Sequence, residues 1–451
     1  MSISTAMCCG VEIEGEQAAS RGVAGGVGLM GQTVLPNGLR ILTTEMPHTR
    51  SATVSFYVGA GSRYERAEDA GISHFVEHAC FKGSRSRPTP EEISEAIEGV
   101  GGVLNAGTDR EMTVFYAKVP AAHLSLALDV VLDLTIRPIF EAEAFEKERG
   151  VILEELAMVE DQPGQLAELA LDALLWPADP LGRDVAGTPE TVDAITSESA
   201  AAYRRNQYTP ANTLISVAGA FDAEAAVETV AATTAEWEFG EPDDWQRVGS
   251  SNGLPTAARV AVRNKPTEQA NVMVGLPGIA SEHPDRYALH LLTSVLGEGM
   301  SSRLFVELRE RRGLAYDVQA YAAHLRDTGA VSIYLGVDPD NVSEAIALSL
   351  HELGRLREGV SDAELHKVRE YTKGRMLLNL EDTRAVSAWY GSQTLLQDRA
   401  RSVEEVVEKL EAVTQDDLTR VAADLLLEER LLLAVVGPFE SAEPFEALLR
   451  F

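Results

Sequence analysis

The sequence predicts an α+β fold made of two homologous repeats, each a mostly antiparallel sheet packed with helices. Three observations lead there. At roughly 150 residues per domain, 451 residues suffice for two or three domains. Along the chain, short apolar strand-like runs interleave with longer helical stretches. The pattern then restarts: Ala270–Val274 resembles Ala52–Phe56, and Leu433–Phe439 resembles Ile215–Phe221, both displaced by 218 positions. A shared offset at both ends implies two copies of one unit of about 200 residues.

Composition narrows the partners. Seventy acidic residues oppose 39 basic ones, a formal net charge of −31. This excludes the basic footprint that nucleic acid requires and is compatible with a cationic peptide substrate or with acidity serving solubility alone. Three cysteines, Cys8, Cys9 and Cys80, cannot build a disulfide framework. No apolar run reaches the length of a membrane span, and no basic-then-apolar leader opens the chain. The expectation is a soluble cytoplasmic protein with no membrane partner.

Taken in order, residues 1–31 are rich in Gly, Ala, Ser and Glu without periodicity and read as a disordered tail. Thr33 to Leu42 reads as a hairpin, two strands joined across Asn37-Gly38. A strand follows at Thr53–Val58, then a helix from near Ala70. Thr89 and Pro90 open the next helix as N-cap and first-turn residue, and it runs to Gly99. A strand through Thr113–Ala117, helices at about 121–135, 141–160 and 163–175, and the strand Thr213–Gly219 complete a first domain over 32–240. Residues 241–260 read as a linker of Gly, Pro, Asp and Ser, and 261–451 as the second domain.

The chemistry concentrates in the helix near Ala70. His74-Phe75-Val76-Glu77-His78 places two imidazoles and a carboxylate at i, i+3 and i+4, on one helix face. Neutral imidazole is a good zinc ligand, and a carboxylate beside a metal can take a proton from water; the spacing is that of inverted zinc-peptidase motifs. Displaced by 218, the same positions hold Leu292, Val295 and Leu296, so the second repeat is expected to be metal-free. Cys80, just after the pair, reads as a small buried residue rather than a ligand. A third ligand is required. The acidic helix downstream offers Glu148 and Glu155, seven apart and so on one face; one can bind metal while the other supports a ligating His. Val151 and Ile152 between them suggest that this side is buried. Glu154 competes for the same role.

His74–His78 followed by Glu148-Arg149-x-Val151-Ile152-x-x-Glu155 resembles the pitrilysin/insulinase (M16) family of zinc metallopeptidases, most closely its processing-peptidase-like bacterial subfamily. The resemblance covers nearly the whole chain from about residue 32. Gly101-Gly102-x-x-Asn105-Ala106-x-Thr108-x-x-Glu111 is similar to the family's substrate-binding edge strand. Gly297–Leu304 and Arg309-x-x-x-Gly313-Leu314-Ala315-Tyr316 resemble its second-repeat signature. The resemblance implies the M16-type metallohydrolase fold, Zn2+ on His74, His78 and Glu155, Glu77 as general base and Glu148 as the supporting carboxylate. It further implies that Asn105 and Ala106 pair with an extended peptide by strand addition, and that Arg309 and Tyr316 contact substrate near the scissile bond. It also implies a homodimer enclosing unfolded peptides, with Arg309 and Tyr316 of one subunit facing the metal of the other. Three other readings stay open: a catalytically silent structural member of the same fold, a metal-dependent enzyme acting on something other than peptides, and a dedicated maturation protease for one peptide.

Overall fold

The computed structural model describes residues 24–25, 28–238, 240, 242 and 259–451. The expected linker at 241–260 therefore lies almost wholly outside the described residues, as does most of the expected tail.

The first half carries seven strands: β1 Ala24–Gly25, β2 Gly28–Val34, β3 Arg40–Glu45, β4 Ser51–Val58, β5 Val103–Thr108, β6 Thr113–Pro120 and β7 Thr213–Gly219. They form one sheet in the order β1-β2-β3-β7-β4-β6-β5. The expected hairpin is β2–β3, with Gly38 at φ 87° in its turn. The tail was expected to extend to residue 31. Instead, Gly28–Gly31 lie within β2: Leu29–Gly31 pair with Thr43–Glu45 of β3, and Gly28 and Leu29 pair with β1. Glycines hid this strand, because they carry no apolar side chains to alternate.

The second half carries β8 Val260–Asn264, β9 Ala270–Pro277, β10 Ala315–His324, β11 Gly329–Val337 and β12 Leu432–Gly437, in the order β10-β11-β9-β12-β8. Read from the other end, this is the order of β3, β7, β4, β6 and β5. The register repeats as well. Thr53 pairs with Ala218, and 218 residues on, Asn271 pairs with Val436. In both sheets only the β3–β7 and β12–β8 neighbours run parallel.

Helices of the first half are α1 Ile72–Cys80, α2 Pro90–Glu98, α3 Leu124–Ile136, α4 Ala142–Glu160, α5 Pro163–Leu175, α6 Pro189–Ala194, α7 Ser197–Gln207 and α8 Ala223–Thr233. Those of the second are α9 Arg286–Gly297, α10 Val342–Glu358, α11 Asp362–Asn379, α12 Thr383–Gln397, α13 Val403–Ala412, α14 Gln415–Leu425 and the short α15 Glu443–Glu446. α2 starts as expected: Thr89 and Glu92 make a reciprocal capping box with Pro90 in the first turn.

Side chains alternate across β4. Ala52, Val54, Phe56 and Val58 face a core shared with α1, α3 and α4; Tyr57 faces the opposite way, into a cluster with Val386 and Tyr390 of α12. In the second sheet Val272 and Val274 face a core with α9, α10 and α11, while Met273 meets Leu166 and Leu171 of α5. Each half thus lends one helix to cover the back of the other half's sheet. Buried hydroxyls seat α12: Thr383 Oγ1 lies 2.9 Å from Thr53 Oγ1, and Ser387 Oγ donates to Ser55 Oγ at 2.8 Å. Among the described residues, no helix is long and apolar enough to cross a membrane.

Candidate metal centre

Two helices build the site, and aromatic packing fixes their crossing. Phe75 of α1 stacks on Phe145 of α4 with centroids 4.1 Å apart, and the Arg149 guanidinium lies over both rings. α1 itself begins sharply. Gly71, at φ 94°, is its N-cap; a Cβ there would lie 2.5 Å from the Ala186 carbonyl oxygen. The buried Glu65 carboxylate accepts the Gly71 and Ser73 amides at 2.9 and 2.8 Å, satisfying donors that a helix N-terminus leaves open.

On this frame His74 and His78 converge with Glu155. The two Nε2 atoms are 3.1 Å apart, and Glu155 Oε2 lies 3.8 Å from His74 Nε2 and 3.6 Å from His78 Nε2. A tetrahedral zinc with bonds of about 2.0–2.2 Å holds its ligand atoms about 3.3–3.6 Å apart. The donor set fits that ion in type and in spacing, and among the described residues it is the one such group of His, Cys and carboxylate side chains. Glu154 is exposed and outside it. Cys80 is fully buried and not part of it.

Around these groups the side chains are ordered by hydrogen bonds. Glu148 Oε1 lies 2.8 Å from His78 Nδ1, and Glu148 Oε2 pairs with Lys82 at 2.6 Å. A carboxylate accepts, so Nδ1 carries a proton, and Nε2 is the nitrogen left on the side of His74 and Glu155. His74 Nδ1 is buried with no partner among the described residues. Burial and the neighbouring His78 lower the His74 pKa to about 4, which keeps its imidazole neutral. Burial also works against the His78 imidazolium, but the Glu148 hydrogen bond and the charges of Glu155 and Glu77 outweigh it and raise that pKa. Burial pushes the Glu148 carboxyl up, yet His78 and Lys82 hold it below its ordinary value. Glu77, only 8% exposed, is raised by burial, with Thr108 opposing.

The Glu77–Thr108 contact was missed at the level of sequence. Thr108 Oγ1 donates to Glu77 Oε2 at 2.6 Å, across 31 residues and from strand to helix, where no periodicity connects them. Asn105 and Ala106 lie on the same strand, β5, which among the described residues is the last in the sheet order. Asn105 Oδ1 accepts the Ala106 amide at 2.8 Å, so this amide points away from β6. On α4, Val151 corrects the expected buried side: it is 44% exposed while Ile152 is fully buried, because successive helix positions turn by 100°. Arg309 and Tyr316 are not brought to the cluster within the chain. Arg309 sits on a π-helical segment, Phe305–Arg311, donates to the Tyr316 carbonyl at 3.0 Å and lies over the Tyr316 ring; Tyr316 is 73% exposed.

A second network was also missed. Fully buried Arg63 donates to Glu111 at 2.6 Å and to Asp327 at 2.5 Å. Glu111 also accepts the Arg326 amide. These contacts join the β5–β6 turn of the first half to the equivalent β10–β11 turn of the second. In α9, the positions equivalent to His74, Glu77 and His78 are Leu292, Val295 and Leu296, all buried.

Comparison with known proteins agrees with this geometry. The insulinase (peptidase family M16) profile matches residues 40–189, and that of the peptidase M16 inactive domain matches 194–371. A Streptomyces coelicolor protein named an uncharacterized zinc protease is 37% identical over 422 residues, 93% of this chain and 92% of the relative. The probable mitochondrial-processing peptidase subunit beta of Arabidopsis thaliana is 30% identical, across 93% of this chain and 80% of its own. Among solved structures, a protease from Helicobacter pylori superposes with a TM-score of 0.82 at 22% identity, over 91% of this chain and 99% of that one.

Proposed function

Because this chain belongs to the insulinase family, peptidase family M16, we propose that it is a zinc-dependent endopeptidase acting on unfolded, extended peptides. The observation that carries the reading is the convergence of His74, His78 and Glu155 beside a buried Glu77. In this reading His74 and His78 hold zinc through Nε2 and Glu155 is the third ligand. Glu148 fixes the His78 tautomer, a support that metal-bound imidazoles commonly have. Zinc held there lowers the pKa of water and polarises a carbonyl oxygen.

The chain's own groups then divide the work. Glu77 takes a proton from the attacking water and returns it to the leaving amine; Thr108 holds that carboxylate in line. β5 lies beside α1 with an edge that no described strand pairs, and Asn105 and Ala106 would add a substrate strand there, largely regardless of its side chains. Asn105 must release the Ala106 amide for that pairing. Arg309 and Tyr316 would reach the scissile bond from a second subunit, in a homodimer that encloses the peptide. The low cysteine count supports placement in a reducing cytoplasm.

One set of samples tests this. Wild type is expected to bind about one zinc per chain, to cleave a quenched basic peptide, and to run in light scattering at twice the 48.7 kDa chain mass. Glu77→Gln should keep the zinc and the dimer and lose cleavage. Zinc loss in Glu77→Gln, or undiminished cleavage, contradicts the assigned role; a monomer with full activity removes Arg309 and Tyr316 from the mechanism.

A further inference from the structure

A cleft of about 750 Å³ opens in the second half, where α9, the end of β10, α11, α12 and α13 meet. Nothing in the proposed chemistry uses it. Its wall is apolar on one side, with Met376, Leu380 and Trp389. Its polar groups are incompletely engaged. Arg375, exposed on α11, forms no ion pair or hydrogen bond with any described residue, although acidic residues outnumber basic ones 70 to 39. Thr372, one turn earlier on the same helix, has a buried hydroxyl without a partner among the described residues. The other charged residues of the cleft are engaged: Arg286 donates to the Ser281 carbonyl and to Tyr287, and Glu298 accepts from Ser294.

His324 narrows the chemistry further. Its Nδ1 lies 2.8 Å from the Ile279 carbonyl oxygen. A carbonyl can only accept, so Nδ1 carries the proton. Burial lowers the His324 pKa and keeps the ring neutral. Its Nε2 is then a bare acceptor, and it is buried with no partner among the described residues. Beside the His290 imidazole and the Asn379 amide, which also line it, the cleft offers one cation and one hydroxyl for an anionic acceptor, one lone pair for an N–H or O–H donor, and an apolar wall. A fatty acid has the anion and the apolar body but lacks the donor. An acylated amino acid with an apolar side chain and a free carboxylate has all three.

We propose that this cleft binds the C-terminal residue of a peptide, or a free N-acyl amino acid, with its carboxylate on Arg375 and Thr372, its amide N–H on His324 and its apolar side chain against Trp389, Met376 and Leu380. The site is separate from His74, His78 and Glu155, and binding there does not require the zinc reading to hold.

Titration calorimetry of the full chain with small probes tests it. N-acetyl-leucine should bind saturably at one site per chain, and N-acetyl-leucinamide, which lacks the carboxylate, at least tenfold more weakly. Decanoate, which lacks the N–H, should also bind more weakly. Arg375→Gln, at an exposed position of α11, and the near-isosteric Thr372→Val should keep the wild-type melting curve and each weaken N-acetyl-leucine severalfold. A pentapeptide ending in free leucine distinguishes the two sources: binding tighter than N-acetyl-leucine points to a peptide terminus, and weaker binding to the small molecule. Equal affinity for the amide, equal affinity for decanoate, unchanged binding by Arg375→Gln, or no saturable heat with N-acetyl-leucine up to millimolar concentration each overturns the proposal.

Discussion

At the scale of residues, the site is a chain of donors and acceptors in which each group depends on the next. Lys82 holds Glu148, Glu148 orients the His78 ring through Nδ1, and His78 and His74 bring their Nε2 atoms beside Glu155. Glu77 is held by Thr108 alone among the described side chains that hydrogen-bond it. Hydrogen bonds to charged groups contribute about 1.5–3 kcal/mol. Thr108→Val should therefore lower kcat about 10- to 100-fold, with zinc content and the melting midpoint near wild type. An unchanged kcat would mean that Glu77 is oriented by the substrate instead. The imidazoles and Glu77 were legible because a helix brings i, i+3 and i+4 together. Thr108 was not, because a strand 31 residues away meets that helix only through tertiary packing.

At the scale of elements, the helices were read better than their surroundings. α2, α4 and α5 start and stop close to where sequence placed them, since caps and prolines mark their ends. β2 was half missed because Gly28 and Gly31 break its alternation. The seven-residue spacing brought Glu148 and Glu155 to one side of α4, but the same periodicity misplaced Val151, which lies one position off the buried stripe. α11, which carries the cleft residues Thr372 and Arg375, is anchored at its start. Ser361 and Glu364 form a capping box, and Arg303 pairs with Glu364. The Arg303 pairing, opposed by partial burial, takes the Glu364 carboxyl down from 4.5 to about 2. A carboxyl depressed on folding stabilises the native state fully above its unfolded pKa and stops doing so as pH falls through the folded one. The melting midpoint of wild type should therefore exceed that of Glu364→Gln by a constant margin from pH 5 to 7, with the margin shrinking as pH falls from 4.5 toward about 2. A margin that grows on acidification would contradict the ion-pair account.

At the scale of the molecule, two copies of one sheet have become interdependent. α5 covers the back of the second sheet and α12 the back of the first, so neither half buries its sheet alone. The repeat was visible in sequence as a constant offset; the exchange of helices was not, because an apolar helix carries no label for its partner. Arg63, Glu111 and Asp327 tie the two equivalent turns together in the interior, and the first of those turns ends the strand that carries Asn105 and Thr108. Removing one partner of a buried ion pair costs about 3–5 kcal/mol. Arg63→Met should lower the unfolding free energy measured in urea by that order, with a single transition; an unchanged free energy would show that the network does not bind the halves. The repeat also sets the central claim in its simplest form, because one half keeps the polar triad and the other replaces it with Leu292, Val295 and Leu296. The most direct test is anomalous X-ray diffraction at the zinc edge from crystals of the metal-loaded protein. One peak per chain is expected, within bonding distance of His74 Nε2, His78 Nε2 and the Glu155 carboxylate, and none beside α9. A peak coordinated by other residues, or no peak at this cluster after loading, would contradict it.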